Sequence, residues 1–156
     1  GIMRAALRLS LVSAFLLLAL AAPACRGRAD HHDDRLAPDE AARVLIDRNW
    51  LDSWPATERD HLFVYRFTPA MGGGVFQDRT LFKGTFELFR FTTDGKKLDF
   101  DLPETHERAV TPFHIDHVDG PAPFDLRLTL ENSPRGPDVY YGRSAETAAD
   151  ALLLPL

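Results

Sequence analysis

The chain has 156 residues, with 18 Lys and Arg against 23 Asp and Glu, a formal net charge of −5 when histidines are neutral. That balance excludes the broad basic face of a nucleic-acid binder. A single cysteine, Cys25, excludes an intramolecular disulfide, so packing alone must hold the fold.

The opening stretch reads as an export signal. Arg4 and Arg8 precede an apolar run from Leu9 to Ala22 broken only by Ser10 and Ser13. Ala22-Pro23-Ala24-Cys25 then brings small residues to a cleavage point. The run falls short of the ~20 residues of a membrane span and is followed at once by Arg26 and Arg28. Two processing readings fit. Ala22 and Ala24 suit ordinary cleavage and release; alternatively the segment resembles a bacterial lipobox, and Cys25 becomes a lipid-bearing first residue. A lipid on Cys25 would tether the domain to a membrane surface without crossing it. The expected organisation is a signal over 1–24, a flexible tether over 25–37 and one domain over 38–156. The tether is expected because its polar residues bury too little surface to offset ordering entropy.

Within the domain, Asp39 is the expected N-cap of a short helix with Ala42, Leu45 and Ile46 on one face. Pro55 disfavours helix at Trp54, and the pair Trp50 and Trp54 is expected to plug one end of the fold. From His61 the period becomes two: Phe63, Tyr65 and Phe67 alternate with Leu62, Val64 and Arg66. Gly72-Gly73-Gly74 predicts a loop. Val75 to Thr92 predicts two strands joined near Asp78-Arg79, or one strand bent at Gly84. Its apolar parity slips between Phe86 and Leu88 on one face and Phe89 and Phe91 on the other, which predicts a bulge or burial on both sides.

Asp94-Gly95 signals a hairpin, since the turn needs the positive φ that glycine adopts freely. Leu98, Phe100 and Leu102 alternate with Asp99 and Asp101; Val110 to Val118 is a further strand with Phe113 and Ile115 inward. Phe124, Leu126, Leu128 and Leu130 form the cleanest alternation in the chain. Val139-Tyr140-Tyr141 is a short last strand, and Ser144 caps an expected helix through Leu153. The sum is an all-β, mainly antiparallel fold, a small barrel or sandwich with short N- and C-terminal helices. A barrel is favoured because closure protects strand edges.

Arg48-Asn49-Trp50 ahead of meandering hairpins and a C-terminal helix resembles small bacterial lipocalin-like lipoproteins. Phe124-Asp125-Leu126 and the stretch Gly136 to Tyr141 are similar to uncharacterised lipoprotein families. The lipocalin resemblance implies that Trp50 closes the barrel floor and that the barrel holds a ligand cavity. It carries over no catalytic residues.

Three chemistries compete. The chain holds 11 phenylalanines, and Phe63, Tyr65, Phe67, Phe89 and Phe91 are expected to line an apolar pocket, with His117 orienting a polar head group. The same rings could equally fill the core solid. His106, His114 and Asp116 are weak candidates for a zinc site with an open position, matching no zinc motif; His31-His32-Asp33-Asp34 reads as a solvated tether. Asp99 and Asp101 show the spacing of any exposed strand face, and no nucleophile-elbow serine or phosphate loop is present. The expectation is a non-enzymatic, cofactor-free domain of the bacterial cell envelope, lipid-anchored and periplasm-facing or surface-exposed, that binds a small apolar ligand or lipid. One alternative is a protein-interaction or inhibitor module using Met71 to Phe76 or an uncovered strand edge. Another is a metal-dependent hydrolase.

Overall fold

The computed structural model describes residues 34–146. The expected signal and Cys25 lie outside the described residues, as does the part beyond Glu146 of the helix expected from Ser144 through Leu153; Ser144 itself lies in a turn and gives its N–H and hydroxyl to Asp125. Strands β1 (Asn49–Leu51), β2 (Leu62–Thr68), β3 (Gly73–Arg79), β4 (Gly84–Thr93), β5 (Lys97–Leu102), β6 (Glu107–His117), β7 (Leu126–Leu130) and β8 (Val139–Gly142) pair in sequence order, all antiparallel. Leu51 of β1 faces Tyr141 of β8, which closes the barrel. Barrel rather than sandwich follows from the connections. Each strand turns back beside its predecessor, and closing the ring satisfies the two outermost strands.

Helix α1 spans Pro38–Leu45, starting one residue before the expected cap at Asp39. Pro38 suits the first helical position because its missing N–H would have no partner there, and Asp39 and Glu40 fall in the turn that favours negative charge. Ile46 leaves the helix in extended form and bridges Phe67. The helix seals one end of the barrel. The Trp50 indole N–H donates to the Leu45 carbonyl at 2.9 Å, and both residues are fully buried. Trp54 does not join it. It packs outside the barrel, edge-on to Phe124 at 5.6 Å, in a small outer cluster with Leu51, Leu62 and Val64.

Three of the described residues within the expected tether, 34–36, are held against the barrel. Leu36 N–H donates to Ile115 O at 2.9 Å and His117 N–H to Asp34 O at 2.7 Å, so residues 34–36 run as a short extension along β6, where β5 has not yet begun. Leu36 is buried in the core. One apolar side chain and two backbone bonds offset the ordering cost that the polar neighbours cannot.

Val75 to Thr92 divides into β3 and β4 around a turn at Thr80–Lys83, two residues beyond the expected Asp78-Arg79 junction. Gly73 and Gly74 belong to β3 rather than to a loop; a Cβ on Gly74 would stand 2.4 Å from the Phe89 ring. Gly95 has φ +83 in the expected hairpin turn, and its bare Cα lets the turn pack on Pro38. Inward residues Trp50, Tyr65, Phe67, Phe89, Leu98, Phe100, Ile115, Leu128 and Tyr140 make one continuous core.

Candidate functional site

The rings named as ligand-lining do face the barrel axis, but they face one another. Tyr65 has the rings of Phe67, Phe76, Phe89, Phe100 and Tyr140 at centroid distances of 4.9–6.0 Å, drawn from β2, β3, β4, β5 and β8. Phe67 adds Phe91 at 5.1 Å, and Phe63 stacks on Phe76 at 5.9 Å. Rings from five strands packed on one another across the barrel's width are the signature of a filled centre. The Tyr65 hydroxyl bonds Ser133 Oγ and Arg135 O, both at 3.0 Å, while burial pushes its pKa up to about 12. It stays a neutral structural donor.

His117 is not inside. It shares parity with Phe113 and Ile115, yet it stands past the last covered layer and is exposed. There it lines a polar cleft of about 570 Å³ on the outer surface with Asp34, Arg35, His114, Asp116, Asp119, Asp125 and Arg127. Asp116 forms the floor, its side chain 8% exposed, with Arg127 NH2 at 3.3 Å, His114 Nε2 at 3.4 Å and Arg35 Nε at 3.5 Å. Burial and the cations Arg35 and Arg127 lower the His114 pKa, against the pull of Asp116. Both effects favour the neutral imidazole.

His106 does not reach this cleft. It sits with φ 59 in the β5–β6 turn at the opposite end of the barrel, because the long strand β6, from Glu107 to His117, lies between that turn and the cleft. Among the described residues no group of three His, Cys, Asp or Glu side chains is placed to hold a metal ion. The weak candidates His106, His114 and Asp116, on which the alternative of a metal-dependent hydrolase rests, are not brought together.

The apolar surface lies elsewhere, on the β3–β4 hairpin. Strict alternation holds along β4 with no bulge. Phe89 and Phe91 point inward while Phe86 and Leu88 point outward, 66% and 56% exposed. The expected alternatives of a bulge or two-sided burial both fail, since nothing among the described residues covers the outer pair. Phe82 at the hairpin turn is 74% exposed, and Met71, which leads into β3, 85%. Met71 and Leu88, with Arg66, Thr68, Val75 and Gln77, line an apolar groove of about 480 Å³.

Past the end of β5 the wall continues as β2, β3 and β4 alone, β3 staying paired with β2 from Gly73 to Arg79, and the β3–β4 hairpin is the outer arm of that extension. β5 ends at Leu102, one position past the Arg90–Asp101 pair, so β4 from Gly84 to Leu88 has no β5 neighbour. Arg135 holds the base of this opening. Its guanidinium bonds Glu87 on β4 at 2.7 and 3.1 Å and Glu107 on β6 at 2.9 Å. Those two carboxylates raise its pKa further, against a smaller desolvation effect.

Phe82, Phe86 and Leu88 are not singled out as a site by the sequence, whereas Met71 opens the expected interaction loop Met71 to Phe76. The parity slip at Phe86 to Phe89 was the available signal, because a strand apolar on both faces must cover both or expose one. No family model, curated protein or solved structure matches the chain.

Proposed function

We propose that the domain is a non-enzymatic interaction module, exported to the bacterial cell envelope and held there through a lipid on Cys25, that engages a protein through its β3–β4 arm. The observation that carries this reading is the grouping of exposed apolar side chains. Met71, Phe82, Phe86 and Leu88 account for four of the six exposed large hydrophobics among the described residues, and all four lie on or beside one hairpin. Apolar side chains left in water and gathered on one feature mark an interaction site more often than scattered ones do. The test is a photoreactive residue placed at Phe82 or, as control, at exposed Val110, in the full chain in its source cells. A discrete adduct from position 82 and none from 110 is the expected result; no adduct from 82 ends the reading.

A second reading keeps the lipocalin-like expectation of a small apolar molecule or lipid. The outer groove beside Val75 and Leu88 supports it, being within the size range of small-ligand sites. The ligand would then sit outside the barrel rather than among Phe63, Tyr65, Phe67, Phe89 and Phe91. Comparing native with denaturing mass spectrometry of the purified protein tests it. A solvent-extractable mass supports the reading, and a bare mass from repeated preparations ends it.

A further inference from the structure

The arm carries a second feature besides its apolar side chains, namely an unpaired strand edge. The Thr80 N–H donates to Lys83 O at 2.8 Å, which makes these two residues a hydrogen-bonded pair. Bonded and non-bonded pairs alternate along an antiparallel ladder. Asp78 with Thr85, Phe76 with Glu87 and Gly74 with Phe89 are therefore the bonded pairs. The N–H and C=O groups of Gly84, Phe86 and Leu88 point the other way, to the side where β5 is missing. Among the described residues nothing bonds them.

Two other overhangs in this barrel are covered. Beyond β5, the β6 edge receives residues 34–36; beyond β1, the Phe67 carbonyl accepts from Asp47 N–H at 2.8 Å and the Phe63 carbonyl from Asp52 N–H at 3.1 Å. On its β7 side, the start of β6 has no β7 partner and presents Arg108, exposed Val110 and Pro112, where the charge and the proline discourage a new strand. The β4 edge has neither cover nor such residues. Its unpaired positions carry no side chain at Gly84 and exposed apolar ones at Phe86 and Leu88.

Charge selects among strands that could add there. Arg79 gives its guanidinium hydrogens to Gln77 and to the carbonyls of Thr80 and Leu81, with no carboxylate partner among the described residues. Lys83 is exposed beside Gly84. Arg90 and Arg108 share the single carboxylate of Asp101. The outer face and tip of the arm thus carry Arg79, Lys83 and Arg90, while the arm's carboxylates Asp78 and Glu87 are paired with His61 and Arg135, on a chain of net charge −5.

We infer that β4 accepts an added strand at Gly84–Leu88, supplied by an extended segment of a partner protein that is apolar at alternate positions and acidic beside them. The segment would lie in line with β5, antiparallel to β4, over roughly 17 Å of edge. Backbone bonds to Gly84, Phe86 and Leu88 give it register, and its outward side chains extend the apolar surface of Phe86 and Leu88. This rests on the interaction-module reading and names the partner's form.

The experiment uses the photoreactive residue at Phe82 in three further backgrounds of the full chain. Phe86→Thr removes the ring but keeps the edge N–H. Phe86→Pro removes that N–H, which β3 does not use, so the hairpin ladder survives. Lys83→Glu reverses the nearest charge. The expected result is an adduct that persists in Phe86→Thr, falls about tenfold in Phe86→Pro and falls several-fold in Lys83→Glu. Equal yields from the proline and threonine variants, whether both high or both lost, overturn the added strand while leaving the interaction module standing. An unchanged yield in Lys83→Glu overturns the acidic partner, and an adduct of twice the chain's mass makes the occupant a second copy instead. No adduct from the unchanged arm overturns both readings. Amide hydrogen exchange of the unmodified protein checks the edge independently of any variant's folding. Gly84, Phe86 and Leu88 should exchange fast and Thr85, Glu87 and Phe89 slowly; matching rates overturn the edge.

Discussion

Phe86 and Phe89 stand three positions apart on β4 and face opposite fates. Phe89 is 3% exposed and touches the rings of Tyr65, Phe67 and Phe100; Phe86 is 66% exposed and projects from the arm. The same side chain stabilises the fold in one place and serves no internal packing in the other. Burial contributes only where other atoms close round the ring. The difference separates a filled barrel that carries stability from an arm free to carry recognition.

The largest effect that sharpens this contrast is expected at Phe67, fully buried among aromatic rings. Phe67→Ala should cost about 3–5 kcal/mol in urea unfolding, whereas Phe86→Ala should change stability by no more than about 0.5 kcal/mol. Similar losses at both positions would break the comparison. Trp50→Phe comes next, at about 1–3 kcal/mol, because the buried Leu45 carbonyl loses its donor at the helix-sealed end. Arg135→Met should cost less, about 1 kcal/mol, since its ion pairs are partly solvated. Its sharper consequence is local. Freed from Glu87, the arm should be cut faster by protease at the Thr80–Lys83 turn while the core keeps its melting temperature.

The smallest effect concerns the polar cleft and pH. The folded His114 pKa lies below its ordinary value, so the unfolded chain binds the proton more readily than the folded one. The stability this contributes is present above the unfolded pKa near 6.5 and is lost as pH falls through the lower folded value. His114→Gln should therefore flatten part of the decline in urea midpoint between neutral and mildly acid pH. An unchanged slope would show that the cleft leaves His114 as free as in the unfolded chain.

Much of the fold was legible. The alternations at Phe63 to Phe67, Leu98 to Leu102 and Leu126 to Leu130, together with the Asp94-Gly95 turn, specify half-buried strands joined by hairpins, since side-chain parity and turn geometry are local properties. The candidate site was legible only as residue types. Parity places His114 and Asp116 on one face, but it cannot say that His106 turns away at the far end. Nor can it say that His117, in phase with the core, lies past the core's last layer.

The sequence by itself determined the two-residue period, the inward set of rings and the punctuation between strands, because these follow from each residue and its immediate neighbours. Tertiary structure alone decided that eight strands close, that Tyr65 is ringed by aromatics, and that Leu36 is drawn into the core. It also decided that the outer face of β4 stays uncovered. Burial depends on what arrives from distant parts of the chain: residues 34–36 reach the β6 edge, and β5 stops at Leu102, leaving the edge from Gly84 to Leu88 without a neighbour.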